Sequence, residues 1–308
     1  MRLRKEKSLL PALIAANGDF ILIRDSLSIE EISSLQYYEV CSEKNLNIVS
    51  LKDGPYLEDK ISEIIPWGWD HAVIKDLEDN GIPENLLPSK KQLENLRNLS
   101  HRRTTIPFRK MMSSFLNDTP INLPEELHTL EEIEFFLEKN PVAYLKSPWS
   151  SSGRGIIVSD HITRKGLMEW CHGVLKHQGS VMAERAWNRV LDFATEWLIQ
   201  DSQVNFLGVS VFETSSRGKY HGNIHKTQEE LFNLIQNTVP GFGHDIIDKQ
   251  KKVVENLIAP YYNGFLGIDM LSDTDGNINP CVELNLRLTM GHIPILNNHL
   301  GFAPFSTP

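Results

Sequence analysis

The sequence contains few cysteines, and their positions exclude two architectures. Only three occur among 308 residues, Cys41, Cys171 and Cys281, and they lie far apart along the chain. Three scattered thiols cannot form a disulfide framework, and they lack the paired spacing of a zinc site. We therefore expect reduced cysteines in a cytoplasmic protein.

The sequence also lacks an excess of basic residues and a long apolar run. Lysine and arginine number 31 against 40 aspartates and glutamates, which gives a formal net charge of −9. Nucleic acid selects basic surfaces, so this balance argues against a nucleic-acid partner. No apolar run is as long as a transmembrane helix, so we expect no membrane partner either.

The basic N-terminus is followed by a short apolar segment and superficially resembles a signal peptide. That segment, Leu9–Ala16, contains Pro11 and leads directly into a strand pattern at Phe20–Ile23. Such a run is at the short end for a secretory signal. We interpret the segment as a helix that precedes a first sheet, and we expect the protein in the cytoplasm.

The first 98 residues alternate between strand and helix patterns, as small parallel α/β domains do. These patterns lie at Phe20–Ile23, Ser28–Val40, Asn47–Leu51, Tyr56–Ile65 and His71–Asn80. Between the last two stands a loop with Trp67, Trp69 and Asp70. The loop either lines a substrate pocket or packs between subdomains, and the sequence leaves its role open.

The segment from Gly264 to Arg287 carries the strongest chemical signal. Two stretches with period-two alternation flank Asp-Thr-Asp-Gly-Asn, so the segment predicts a β-hairpin. A three-residue loop at 275–277, or an equivalent bulge, places Asp269 opposite Glu283 and joins the apolar residues on the other face. Asn285 and Arg287 follow Glu283 on its own face.

This hairpin face offers oxygen ligands for a divalent cation, with a fixed positive charge beside them. Asp269, Glu283 and Asn285 are candidate ligands for Mg²⁺ or Mn²⁺, because a carboxylate within an apolar strand needs compensation. Arg287 is a candidate cation for a phosphate or a developing oxyanion. An ordinary solvated hairpin face has a similar composition, so the pattern alone leaves that alternative open.

A second segment combines a strand that ends in lysine with a loop rich in serine and glycine. The strand Val142–Lys146 precedes Ser-Pro-Trp-Ser-Ser-Ser-Gly-Arg-Gly, and another strand begins at Ile156. The loop joins two strands, so it is neither a Walker loop nor a dinucleotide fingerprint, both of which lead into a helix. Its amides and hydroxyls can still enclose phosphates, with Lys146 and Arg154 supplying charge. A flexible surface hairpin is the alternative.

In this order and separation, the two segments resemble the ATP-grasp superfamily. Its members include D-alanine–D-alanine ligase, glutathione synthetase, biotin carboxylase and the ribosomal-protein glutamate ligases. The resemblance covers about residues 99–308 and implies a mixed fold: a small N-terminal α/β domain, then two α+β subdomains that hold ATP between them. It divides the chain into 1–98, a first subdomain at 99–180 and a second, with the metal-binding hairpin, at 181–308.

The resemblance also assigns nucleotide contacts. Val181–Glu184 resembles the linker beside adenine, and Asp192 resembles a ribose-hydroxyl acceptor. The candidate ATP-binding residues are Arg102, Lys146, Ser150, Ser151, Ser152, Gly153, Arg154, Gly155, Glu184, Arg185, Trp187, Asp192 and Lys219. The chain departs from relatives at two places. Arginines 102 and 103 stand where relatives have a lysine, with the choice between them open, and Gly267 stands where some ligases have an arginine.

The chemistry that the resemblance implies is ATP- and Mg²⁺-dependent ligation. A carboxylate attacks the γ-phosphate, and an amine then captures the acyl phosphate. Lys146 and Arg287 would be the catalytic residues, and the substrates would be small-molecule or peptide carboxylates and amines. A homodimer is compatible with this interpretation. A phosphotransferase on the same scaffold and a non-catalytic nucleotide-binding module are the alternatives.

Overall fold

The computed structural model describes residues 7–24, 27–53, 60–115, 122–150, 155–214 and 220–298. The chain divides into two compact units, one of Met1–Leu93 with Ile293–Pro308 and one of Glu94–His292. Across the described ranges, every helix is too short or too polar to cross a membrane. The three-part division expected at residues 98 and 180 stays a prediction.

The N-terminal unit contains a parallel pair of strands, as the alternating pattern predicts. After a 3₁₀ turn at Leu10–Leu13, its elements are β1 (Phe20–Ile23), α1 (Ile29–Ser33), α2 (Tyr38–Glu43), β2 (Asn47–Ser50) and α3 (His71–Asp79). The pattern at 28–40 forms two helices and not one, because Tyr37 adopts a left-handed backbone with φ of 73°. The Asp70 side chain accepts a hydrogen bond from the Val73 amide and caps α3.

Between β2 and α3 the chain differs from the expected alternation. Residues 60–65, the described part of the segment expected at Tyr56–Ile65, form neither helix nor strand. Pro66 follows directly, and a residue before proline is biased toward extended loop conformations. Trp69 packs against a small core of Leu51, Leu77 and Ile82, so it serves at least partly as a core residue.

A four-stranded antiparallel sheet forms the first half of the second unit. The elements in this stretch are α4 (Lys90–Leu99), α5 (Thr105–Phe115), β3 (Glu125–Leu127), α6 (Leu130–Lys139), β4 (Ala143–Lys146), β5 (Ile156–Val158), α7 (Arg164–Gln178) and β6 (Val181–Arg185). The strand order is β3-β6-β4-β5. Apolar residues of α6 and α7, including Ile133 and Leu167, pack against Leu145 and Val181 of the sheet. This packing fixes the strand that ends at Lys146.

A five-stranded antiparallel sheet forms the second half. Its elements are β7 (Arg189–Gln200), β8 (Gln203–Thr214), β9 (Tyr220–Asn223), α8 (Gln228–Thr238), α9 (His244–Leu257), β10 (Gly264–Asp273) and β11 (Ile278–Asn285). The last helix, α10 (His292–Asn298), follows them in the sequence, and from Ile293 onward it belongs to the N-terminal unit. The strand order is β11-β10-β7-β8-β9. Gln250 of α9 contacts Thr195 and Met270, so the face of the sheet that carries these two residues packs against helices. The alternate residues, Asp192 and Asp269 among them, therefore lie on the opposite face.

The β10–β11 hairpin pairs Asp269 with Glu283, which confirms the expected register. The route differs from a simple three-residue loop. Ser272 pairs with Ile278 across a five-residue turn, and the register then shifts between Leu271 and Asp269. The Asp273 carboxylate stabilises the longer turn by accepting hydrogen bonds from the backbone and side-chain amides of Asn277. The bulge restores the pairing that the apolar face demands.

Candidate active site

Acidic residues gather in two adjacent rows of the five-stranded sheet. Asp269 pairs with Glu283 on one side, and two residues earlier Gly267 pairs with both Asn285 and Glu196. Alternate residues of neighbouring paired strands share a face, so all four polar side chains lie on the same surface. Three carboxylates and one amide therefore converge near one end of the sheet.

The electrostatics of Asp269 differ from those of an ordinary surface aspartate. Its side chain is partly open to the cleft but closely surrounded by protein. Desolvation, and then the negative charges of Glu283 and Glu196, raise the pKa of Asp269 well above its usual value. Arg287 and a hydrogen bond from Asn285 oppose that shift only in part. A divalent cation would supply the missing positive charge.

The donor set fits Mg²⁺ as a partial shell. Within the described ranges, no group of three or more His, Cys, Asp or Glu residues is arranged to hold a metal. Mg²⁺ commonly takes one or two carboxylates and completes its shell with water and substrate phosphates. Asn285 Oδ1 accepts a hydrogen bond from Arg287 Nη2 at 2.9 Å. An amide oxygen has two lone pairs, so this bond leaves one for a cation.

Glycine at position 267 has a local physical reason. A Cβ there would lie 2.7 Å from Thr289 Cγ2 and 2.9 Å from Glu196 Oε2. Glu196 is itself buried, and it accepts hydrogen bonds from Ser210 and Thr289 while pairing with His292 at 3.1 Å. A side chain at 267 would therefore collide with Thr289 and Glu196, whereas Arg287 contacts this face by donating to Asn285 Oδ1.

Arg102, and not Arg103, faces this site. The Arg102 guanidinium donates to the Ser147 carbonyl at 2.6 Å, to Ser150 Oγ at 2.7 Å and to Glu283 Oε1 at 2.8 Å. It thereby connects the start of the Ser/Gly loop to a candidate metal ligand. Arg103 is half exposed and lies 3.8 Å from Glu126. Of the two arginines, Arg102 is thus the one whose guanidinium contacts the candidate site.

Lys146 and Glu184 form a buried ion pair on the four-stranded sheet. They lie on adjacent strands, with Lys146 Nζ 2.8 Å from Glu184 Oε2. The other carboxylate oxygen accepts from Arg109 Nη1 at 2.5 Å and from Asn279 Nδ2 at 3.1 Å. Burial alone would raise the pKa of Glu184, but Arg109 and Lys146 together lower it to about 2. Glu184 is therefore ionised, and both of its oxygens are engaged.

A cleft between the two sheets brings many of the candidate residues together. Its lining includes Tyr144, Lys146, Glu184, Trp187, Asp192, Thr214, Asp269 and Glu283. Asp192 accepts a hydrogen bond from Thr214 and lies 3.3 Å from Arg189. Burial raises the pKa of Asp192, and these two neighbours oppose the shift. The cleft thus has a cationic wall at Lys146 and an anionic wall at Asp269 and Glu283.

Several candidates lie outside this cluster or outside the described residues. Arg185 is exposed at the end of β6 and does not line the cleft. Gly155 lies close to Ser150, since a Cβ on it would be 2.5 Å from Ser150 Oγ. The candidates in the undescribed ranges are Ser151, Ser152, Gly153, Arg154 and Lys219.

Sequence reasoning missed Arg109, Glu196 and Asn279. Arg109 is fully buried on α5 beside Phe108 and Met112. A charged residue on an apolar helix face was the available signal for it. Glu196 stands in the strand sequence Phe-Ala-Thr-Glu-Trp-Leu-Ile, where a carboxylate lies among mostly apolar residues, as Asp269 does in its own strand.

Comparisons with known proteins identify the fold. No protein-family model matches the chain. Biotin carboxylase from Campylobacter jejuni superposes with a TM-score of 0.60 at 12% identity, over 99% of this chain and 69% of that one. D-alanyl-alanine synthetase A from Vibrio cholerae gives 0.51 at 15% identity, over 94% and 95% of the two chains. The chain has the ATP-grasp fold.

The ATP-grasp assignment agrees with two further comparisons. N5-carboxyaminoimidazole synthetase from Staphylococcus aureus gives a TM-score of 0.52 at 11% identity, over 90% of this chain and 73% of that one. In sequence, the butirosin acyl-carrier-protein–L-glutamate ligase of Niallia circulans is 26% identical over 147 residues. That alignment covers 47% of this chain and 32% of the relative, so the chain spans about a third of that protein's length. These comparisons confirm the fold expected from the sequence.

Proposed function

We propose that this chain is an ATP- and Mg²⁺-dependent ligase that joins a carboxylate to an amine. The observation that carries the proposal is the cleft with Lys146 and Glu184 on one wall and Asp269 and Glu283 on the other. A triphosphate needs cations on several sides, and a phosphoryl transfer needs them held in fixed positions. The ATP-grasp fold of the solved complexes with nucleotide supports the same conclusion.

Asp269, Glu283 and Asn285 would hold the Mg²⁺ ion. When bound, the ion supplies charge that neutralises the phosphates and the carboxylates together. Lys146 would bind the phosphates from the opposite sheet. Arg102 would hold the Ser147–Ser150 segment against β11 through its bonds to the Ser147 carbonyl, Ser150 Oγ and Glu283 Oε1.

The reaction proceeds in two transfers. A substrate carboxylate oxygen forms a bond to the γ-phosphorus while the bond to ADP breaks, which leaves an acyl phosphate. The amine nitrogen then bonds to the acyl carbon, phosphate leaves with the electron pair, and the amine loses a proton. Arg287 would stabilise the negative charge that develops in these steps, since Asn285 and the Leu288 carbonyl fix its guanidinium.

The relative from Niallia circulans suggests which substrates to try first. Its name specifies an acyl-carrier protein and L-glutamate as substrates. We therefore include a carrier-bound carboxylate among the candidates, together with free amino acids and peptides. Localisation in the cytoplasm is part of the same proposal.

The proposal can be tested by phosphate release from Mg·ATP. Purified protein would be given pools of amino acids, small carboxylates and acylated carrier protein, with mass spectrometry of the products. We expect release that requires a carboxylate–amine pair and a product formed by loss of water. Glu283→Ala should abolish both, while Glu213→Ala, an exposed carboxylate on the same sheet, should change neither.

Product identity separates the alternatives. Phosphate transferred to a hydroxyl or carboxylate without amine capture would replace the ligase by a phosphotransferase. Tight ATP binding without turnover in every pool would favour a binding module. Absence of ATP binding to the wild type would refute the proposal.

A further inference from the structure

Arg109 is a fully buried arginine that contacts both sheets of the cleft. It lies on α5, a helix that packs against β11. Its Nη1 donates to Glu184 on the four-stranded sheet at 2.5 Å and to the Asn122 carbonyl at 2.8 Å. Its Nε donates to the Cys281 carbonyl on the five-stranded sheet at 2.6 Å. One rigid guanidinium thus joins the two walls from behind.

On the cationic wall of the cleft, Arg109 contributes to the charge around Lys146 and to its position. Glu184 is shared between Arg109 and Lys146, so the buried group contains two cations and one carboxylate. Its net positive charge remains available to attract an anion. If Lys146 alone paired with Glu184, the pair would be neutral, and only the Asn279 side chain would still donate to the far oxygen of the Glu184 carboxylate. Arg109 therefore acts on Lys146 and the cationic wall through Glu184.

On the anionic wall of the cleft, Arg109 contacts the β-bulge that precedes the pairing of Asp269 with Glu283. The β10–β11 register shifts between the Leu271–Asn279 pair and the Asp269–Glu283 pair. Cys281 lies within the shifted segment, and its carbonyl accepts from Arg109. Asn279, at the start of that segment, donates to Glu184. Both side-chain contacts therefore connect the bulge to the Arg109–Glu184 pair.

We infer that Arg109 is a positioning residue that couples the metal ligands to the phosphate-binding lysine. Movement of the bulge would displace Glu184 through Arg109, and displacement of Glu184 would displace Lys146. Favourable placement of Mg²⁺ and of the phosphates would therefore depend on the same side chain. This inference rests on the proposed function, because it concerns the response of the protein to Mg²⁺ and nucleotide.

The substitution Arg109→Lys tests the coupling. A lysine retains the positive charge, but all of its donors lie on one nitrogen, so it cannot reproduce the donation from Nε and Nη1 to groups on two sheets. Calorimetry on the full chain would measure ADP affinity in EDTA and in Mg²⁺. The ratio of the two dissociation constants reports how strongly the metal and the nucleotide favour each other. The matched control is Arg164→Lys, an exposed arginine at the start of α7.

We expect the ratio to fall about tenfold in Arg109→Lys, as for the loss of an outer-shell partner of a metal site, and to stay unchanged in Arg164→Lys. A merely structural arginine would lower the melting temperature but weaken both affinities equally, so an unchanged ratio would overturn the inference. If Arg109→Lys fails to fold, Asn279→Ala replaces it. That variant removes one of the two contacts to the bulge and should lower the ratio less, and an unchanged ratio there is again decisive against coupling.

The same experiment separates this inference from the proposed function. Wild-type protein that fails to bind ADP under both conditions refutes the nucleotide site and the inference with it. Wild-type protein that binds ADP more tightly with Mg²⁺, beside an Arg109→Lys variant with the same ratio, refutes only the coupling.

Discussion

Two carboxylates on opposite walls of one cleft experience opposite electrostatic conditions. Glu184 is buried between Arg109 and Lys146, and its pKa is lowered to about 2. Asp269 has Glu283 and Glu196 as neighbours, and the pKa of its carboxyl is raised well above its usual value. The first carboxylate is neutralised by protein groups. The second keeps a negative environment that suits an external cation.

The comparison separates a carboxylate that is paired with protein cations from a carboxylate that is a candidate metal ligand. Both residues stand within apolar strand sequences, so composition alone ranks them equally. The neighbours decide their roles, because a group with saturated partners stabilises the fold, whereas a group among like charges costs stability until something compensates it. Equivalent substitutions on the two walls should therefore have opposite consequences.

The largest effect should come from Glu184→Gln. This change removes the carboxylate that two buried cations share and leaves Arg109 and Lys146 uncompensated. Loss of one partner from a buried ion pair costs roughly 3 kcal/mol or more in unfolding free energy. Urea denaturation at neutral pH would measure it. A loss below about 1 kcal/mol would mean that water reaches these cations, as it does for exposed pairs.

The pH dependence of that loss is the second prediction. The pKa of Glu184 is lowered in the folded state, so its stabilisation is complete above its usual value near 4.5 and disappears as the pH falls toward about 2. The gap in unfolding free energy between wild type and Glu184→Gln should therefore narrow between about pH 4.5 and pH 2. Denaturation series across this range would measure the gap. A gap that stays constant would show that charge does not cause it.

The local elements of both walls could be predicted from the sequence. The strand ending at Lys146 and the pairing of Asp269 with Glu283 follow from alternation and turn residues, which are short-range signals. The exact turn could not be predicted, because the Asp273 side chain stabilises a five-residue loop and a compensating bulge follows. Either route satisfies the same apolar face, so periodicity does not distinguish them.

The partners of Glu184 could not be predicted from the sequence. Arg109 is 75 residues away from Glu184 and 172 residues from its second partner, Cys281. Such contacts depend on how two sheets and a helix pack, and no local pattern encodes them. The same limit applied to Arg102 and Arg103, which are adjacent in sequence but face different surroundings.

The third prediction is that Asp269→Asn does not destabilise the protein. The substitution replaces a carboxyl group whose ionisation is opposed by burial and by the nearby carboxylates of Glu283 and Glu196. Its unfolding free energy should stay within about 1 kcal/mol of wild type and on the stabilising side. The same variant should lose the Mg²⁺ enhancement of ADP binding. A destabilisation as large as that of Glu184→Gln would contradict the distinction between the two walls.

The smallest effect should come from Arg103→Ala. Arg103 is 50% exposed and 3.8 Å from Glu126, a geometry in which ion pairs contribute about 0.5 kcal/mol or less. Arg102→Ala is the matched comparison, because Arg102 is adjacent to Arg103 in sequence but is buried and bonded to Glu283. Arg103→Ala should leave both unfolding free energy and ADP affinity near wild type, whereas Arg102→Ala should weaken ADP binding in Mg²⁺. If the two alanine variants bind ADP equally well, Arg102 has no part in holding the nucleotide, and the loop must be fixed by other residues.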